Sequence, residues 1–530
     1  MPPNPDHDPI VPPAAVNVSM PMKPASNGSF TWEMRGRLYI KRVIAHVGQV
    51  MLTLSEYAEH DAMALADLVR RSEVSAPELL EIALEATALL NPQLNAITNV
   101  MADEARATAS GTIPDGQFRG VPFLLKDILV SYAGVATNCG SRFFNGWTRE
   151  FDSEILRRWK AAGLVVFGKT NTPEIGSNGS TEPVANGPTH NPWQLDHSTG
   201  GSSGGSVAAV AAGIVPAAHA NDGGGSIRGP ASCCGLVGMK PTRGRNPLGP
   251  DAGELWSGLV AEHVVTRSVR DSAALLDCTA GEDVGDPYFA PRPRRKFLDE
   301  VSIDPAPARI GFSPGTPAGQ AAHSDCLEAL AGAATLLEAL GHHVEEAEPD
   351  HDRELTSEVF MGLFAAHNAY AIESGAALSG RTPSTENLER NNLYLLERGR
   401  RMSATDLLSV MAQMNGLTRR FAKFFDSYDV WLTPTMATPP PRLGHLYADM
   451  EDTELFFERL WTFNTANTIY NIAGNPAISV PLHWNENGLP IGVMLGAKSG
   501  REDLLYGLAG QLERAQPWWD RHPPVGLWTE

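Results

Sequence analysis

Residues 197–232 read HSTGGSSGGSVAAVAAGIVPAAHANDGGGSIRGPAS. Two glycine-serine clusters, at 200–205 and 223–226, flank an alanine-rich segment. Glycine-serine runs are ordinarily flexible linkers. Here the residues between and around the clusters are small and apolar, which implies tight packing rather than domain ends. Glycine in such a setting permits positive φ and close backbone approach. Consecutive amides in a glycine loop can also converge as an anion nest. The 223–226 run therefore has the makings of an oxyanion hole, with the amides of Gly223, Gly224 and Gly225 around the hydroxyl of Ser226. A helix over SIRGPASCCG would bring its positive dipole end to that serine. Such a seat suits acyl transfer, in which negative charge develops on a carbonyl oxygen.

A serine hydroxyl needs a base. GVPFLLKDILV (120–130) reads as a buried strand ending in a charged pair, so the ammonium of Lys126 starts partly desolvated. Burial lowers a lysine pKa and can turn the group into a base. LVVFGKTN (164–171) is the next buried strand, and Lys169 is a second candidate. Local chemistry leaves the choice between the two lysines open. With 15 histidines in the chain, the presence of one more candidate base carries no weight.

Three patterns in the chain mislead. GLVVFGKT (163–170) fits the P-loop pattern letter for letter, but its variable positions are Leu164, Val165, Val166 and Phe167, a strand instead of a phosphate-cradling turn. GGSSG (200–204) fits the nucleophile elbow with Ser202 at its centre, yet the polar NPWQLDHST before it does not read as the required strand. The linker reading itself fails on the apolar flanks.

Outward from these motifs, DAMALADLVRRSEVSAPELLEIALEATALLNPQLNAI reads as two amphipathic helices, with Ser75 and Glu78 spaced as a capping box. DSEILRRWKAAG (152–163) is a helix, and VVTRSVRDSAALLDCTAG (264–281) is helical. PARIGFSP (307–314), DVWLTPT (429–435), NPAISVPL (475–482) and LPIGVMLGA (489–497) read as strands. SDCLEALAGAATLLEALGHHVEEAEP is a helix followed by a strand, residues 351–425 are mainly helical, and GREDLLYGLAGQLERA (500–515) is the closing helix. Alternating strands and helices without internal repeats imply an α/β fold, a large central sheet covered by helices on both faces. One domain over 56–525 is expected, with 351–460 as a substrate-facing helical cap whose aromatic residues in 452–471 would either line an apolar pocket or pack as a helix core.

The 530 residues carry a formal charge of -19 and are 42% hydrophobic, enough for a large core. No basic stripe favours nucleic acid. The five cysteines (Cys139, Cys233, Cys234, Cys278, Cys326) have no zinc spacing and read as free thiols of a reducing compartment, which points to the cytoplasm. Residues 1–55 are Pro-rich and polar at first, lack a secretory pattern, and read as a disordered or weakly structured extension, with regular structure starting near Met51. No run of 18 apolar residues marks a membrane span.

GVPFLLKD, FGKTNTPE, NPW, GGSSGGSVAAVAAG, NDGGGSIRGPASCCGLVGMKPTRGR, LTPT and AGNPAISVP occur in this order, and through them residues 60–520 resemble the amidase signature family of serine hydrolases. The resemblance implies a Ser-(cis)Ser-Lys triad. Lys126 is the family's strand-end lysine, which gives Lys169 a structural role. Ser202 is the bridging serine that follows a cis peptide bond, and Ser226 is the nucleophile. It places the oxyanion hole at Gly223, Gly224, Gly225 and Ser226, and supporting hydrogen bonds at Ser203, Asp222 and Arg228. The implied substrate is a small-molecule amide, aryl or cyclic amides included, cleaved by a monomer or homodimer without metal or cofactor. Alternatives are a carbamate-cleaving hydrolase or esterase of the same family, an amidotransferase A-type subunit, and a non-catalytic amidase-like binding protein. The motifs are most similar to bacterial amidases near the 6-aminohexanoate-cyclic-dimer hydrolases and the carbamate-cleaving amidases. One departure stands out. The family commonly has Thr, Ile or Ala where this chain has Gly223, which implies a reduced pocket wall and a looser loop.

Overall fold

A computed structural model describes residues 52–316 and 320–528. The extension expected at 1–55 lies, as far as residue 51, outside the described residues.

Most of the strands follow from runs of apolar, often β-branched residues. They are β1 (Ile97–Val100), β2 (Pro122–Lys126), β3 (Val165–Thr170), β4 (His190–Asn191), β5 (Gln194–Ser198), β6 (Ala217–Asp222), β7 (Val237–Lys240), β8 (Ala261–Thr266), β9 (Arg309–Phe312), β10 (His343–Glu346), β11 (Val430–Pro434), β12 (Ala477–Trp484) and β13 (Pro490–Ala497). Eleven of them form one sheet in the order β1-β3-β2-β6-β8-β7-β12-β13-β11-β9-β10. It is mixed: β2 runs parallel to β3 and β6, whereas β6 and β8 are antiparallel. Every residue of β2, β3 and β6 is buried, the pattern of strands covered on both faces.

Helices flank the sheet. Ala76–Leu94 and Gly204–Ala211 contribute to one apolar cluster with β2, β3 and β6. Val269–Thr279, Ser324–Ala339 and Glu502–Ala515 contribute to another, with β9, β11, β12 and β13. The capping box forms as expected: Ser75 Oγ accepts from the Glu78 amide and the Glu78 carboxylate accepts from the Ser75 amide. Residues 351–425 hold three helices, Arg353–Ser379, Arg390–Arg400 and Ala404–Ala422.

Two stretches differ from expectation. The segment 264–281 is not helical throughout. Val264, Val265 and Thr266 end β8, paired with β6 from Ala217–Thr266 to Asp222–Ala261, and the helix begins at Val269 behind the Ser268 cap. The β-branched run VVT prefers the pleated surface offered by β6. NPWQLDHST does contain a strand, β5, but it pairs with β4 outside the central sheet.

Candidate active site

The register between β2 and β3 separates the two lysines. Lys126 stands opposite Thr170, and Lys169 opposite Leu125. Residues paired across strands share a face and successive residues alternate, so Lys126 and Lys169 point to opposite faces of the sheet. Lys169 Nζ donates to Thr137 Oγ1 (2.5 Å) and lies 3.4 Å from Asp127. Burial lowers the Lys169 pKa and pushes the Asp127 carboxyl up to about 6. This pair closes on itself, away from the serines.

Lys126 is fully buried, and its amine lies 2.7 Å from Ser202 Oγ and 2.6 Å from Asn221 Oδ1. Burial lowers its pKa to about 7, while Glu262 and Asp222 pull it back up. Behind it, the Lys126 amide donates to His219 Nδ1 (3.1 Å), so His219 Nε2 carries the proton and donates to Glu262 (2.5 Å). The Gly201–Ser202 peptide is cis, and Ser202 leads into the helix Gly204–Ala211. That helix and β6 connect the two glycine clusters and set them face to face.

Ser226 lies between the end of β6 and the helix Arg228–Cys234. Asp222, the last residue of β6, ties this loop. Its carboxylate accepts from Gly225 N (2.7 Å), Ile227 N (3.1 Å), Asn471 Nδ2 (2.9 Å) and Arg228 Nε and Nη2 (both 2.9 Å). Burial opposes the Asp222 charge, but the Arg228 guanidinium holds the carboxyl far below the usual range. Arg228 is fully buried and also donates to Asn471 Oδ1 (2.7 Å) and Asn467 O (3.1 Å). Ser203 Oγ donates to the Ser226 carbonyl (2.6 Å).

The Gly225 amide departs from expectation. It is given to Asp222 instead of the pocket, because the turn from β6 into the helix Arg228–Cys234 closes on that carboxylate. Among the described residues, the amides of Gly223, Gly224 and Ser226 have no protein partner, so the open donors of this loop are those three.

Ser202, Asn221, Gly223, Gly224, Gly225 and Ser226 all line one cavity of about 590 Å³. Its remaining walls are mostly apolar and include Ile128, Trp256, Phe360, Phe364, Trp461 and Phe463. The stretch 452–471 splits between both expectations: Trp461 and Phe463 face the cavity, whereas Phe456 and Tyr470 are buried in the core.

Asn221 escaped the sequence reading. Its Oδ1 receives the lysine amine, and its Nδ2 is buried without a partner. The available signal was its place on β6 next to Asp222: adjacent strand residues face opposite ways, so if Asp222 ties the loop, residue 221 turns toward the other face. Among the described residues no cluster of His, Cys, Asp and Glu could hold a metal ion, and no helix is long and apolar enough to cross a membrane.

A buried amine, two hydroxyls and open amides meet around one apolar cavity, an arrangement suited to a hydrolase of amide bonds. The model of the amidase family matches residues 78–506. The 6-aminohexanoate-cyclic-dimer hydrolase of Paenarthrobacter ureafaciens is 38% identical over 479 residues, covering 88% of this chain and 96% of that protein. A solved structure of 6-aminohexanoate cyclic dimer hydrolase with substrate superposes with a TM-score of 0.84 at 36% identity, over 89% of this chain and 100% of that one. A bacterial aryl acylamidase of the amidase signature family gives 0.79 at 25% identity, over 88% and 98%. This chain belongs to the amidase family and is an amide C–N hydrolase, closely related to the cyclic-dimer hydrolases.

Proposed function

We propose that the chain hydrolyses carboxylic amides through Ser226, Ser202 and Lys126 by way of an acyl-enzyme. The observation that carries this is the buried amine of Lys126 at 2.7 Å from Ser202 Oγ, in the wall that also holds Ser226. Neutral Lys126 takes the Ser202 proton as Ser202 takes that of Ser226, and Ser226 Oγ bonds to the carbonyl carbon. The developing oxyanion is met by the amides of Gly223, Gly224 and Ser226. The proton returns through Ser202 to the amide nitrogen, the C–N bond breaks, and the amine leaves. Water, deprotonated by the same relay, attacks the acyl carbon and frees the acid, restoring Ser226. Asn221 Oδ1 holds the amine and stabilises its charged form once it has accepted the proton.

The apolar, ring-lined cavity suits aryl or cyclic amides. A carbamate presents the same carbonyl with an added oxygen, and residues 351–460 act as the substrate-facing cap, since Phe360, Phe364 and His367 lie on the helix Arg353–Ser379 and line the cavity. The thiols, all free, suit a reducing cytoplasm. Turnover of a p-nitroanilide tests the roles. Ser226→Ala and Lys126→Ala each lower kcat by at least about 10³-fold, whereas Lys169→Ala acts mainly on stability. Full activity of either of the first two removes that residue from the relay.

A further inference from the structure

Glycine is favoured at Gly225 and at Gly223 for different reasons. At Gly225 φ is +123°, a conformation that L side chains rarely adopt. Gly223 and Gly224 have no positive φ, so their backbone would accept a side chain. Neighbouring rings are what crowd one. A Cβ on Gly223 would stand 3.1 and 3.2 Å from Cε3 and Cζ3 of Trp256, and one on Gly224 would stand 2.6 Å from Cζ of Phe360. The wall opened by the missing side chain at 223 is thus refilled by an indole.

Trp256 reaches this position on an unusual turn. Trp256 and Ser257 both have φ of +53°. Two successive side-chain-bearing residues in the left-handed region persist only where their surroundings hold them, and such turns concentrate at functional sites. The hold comes from the helix Arg353–Ser379: His367 Nε2 lies 2.9 Å from Ser257 Oγ, and the Phe364 ring lies 5.1 Å from the Trp256 ring. Phe360 of the same helix then meets Trp461 edge-on at 5.7 Å. These spacings are those of interacting aromatic pairs, which prefer offset-stacked or edge-on packing with a further flat ring.

We propose that Trp256 is a specificity-determining residue: it takes the side-chain space of position 223 and selects substrates with an aromatic or other flat cyclic group beside the scissile amide over those with linear alkyl groups. This deepens, and rests on, the assignment of Ser226 as nucleophile. Selection of this kind is a ratio of kcat/KM values, so it is read within one enzyme preparation.

The test uses two substrate pairs, phenylacetamide against hexanamide for the acyl side and acetanilide against N-hexylacetamide for the leaving side. The aromatic-over-alkyl ratio falls at least about tenfold in one pair for Trp256→Ala and is largely kept in Trp256→Phe. Gly223→Thr lowers kcat/KM at least about tenfold, and adding Trp256→Ala restores most of it, a coupling that only contacting residues show. Gly223→Ala gives a smaller loss with the same rescue. Titration of the reactive serine with a fluorophosphonate corrects each rate for the folded fraction. Unchanged ratios in both pairs for Trp256→Ala, or an equal Gly223→Thr loss with and without Trp256, overturns the proposal. Labelling of a serine other than Ser226 overturns the nucleophile assignment instead, and leaves the ratios to be read independently.

Discussion

Lys126 ends an apolar strand with its amine wholly out of water, and that burial suits it to the proposed role of base near neutral pH. With its pKa lowered to about 7, the neutral form grows as pH rises through that value. The kcat/KM profile therefore rises through an acid limb near pH 7, and a flat profile between pH 6 and 8 contradicts the assignment. Asn221→Asp is close to isosteric but puts a carboxylate where Oδ1 lies 2.6 Å from the amine. Added to the nearby Glu262 and Asp222, it holds the lysine charged and moves the acid limb up by more than about one unit. The same shift has a stability consequence of defined sign. Between about 7 and the unfolded lysine value the unfolded chain binds more protons than the folded one, so stability rises with pH across that window. In denaturant titrations, wild type therefore gains roughly 2 kcal/mol on Lys126→Met between pH 7 and 9, and a constant difference contradicts the low folded pKa. The pattern of the sequence nominated Lys126 and Lys169 equally, because both end buried strands. Only the register, with Leu125 opposite Lys169, turns them to opposite faces, and register depends on pairing that no local stretch encodes.

The loop from Asp222 to Arg228 shows what an element adds to its residues. Its glycines allow the path, but the Asp222 carboxylate, with six donors on it, fixes it. Removing Arg228 leaves that carboxylate buried without its cation. Arg228→Met therefore destabilises the fold by about 3–5 kcal/mol, read as a fall in the denaturant midpoint; an unchanged midpoint contradicts a structural role. The supporting roles of Asp222 and Arg228 came from the family resemblance alone, whereas β2 and β3 were legible because wholly buried strands read as apolar runs. β8 was not, since VVT runs into a helix with only Arg267 and Ser268 between. The Gly225 amide was not legible either, as its direction depends on which carboxylate the turn closes upon.

At the scale of the molecule, the cavity collects residues from Ile128 to Asn464, so its walls come from segments far apart in the chain. That is why an α/β fold could be read from alternation whereas the strand order and the seat of Trp256 could not. The described residues 52–316 and 320–528 supply the cavity walls from Ile128 to Asn464, and deletion of 1–50 is expected to leave kcat/KM within about twofold of wild type; a large loss makes the extension part of the working fold. Mass-spectrometric mapping of the intact enzyme after fluorophosphonate labelling decides whether Ser226 or Ser202 attacks the carbonyl. A single adduct on the peptide carrying Ser226, absent from Ser226→Ala, is the predicted result. An adduct on Ser202, or undiminished labelling of Ser226→Ala, would contradict it.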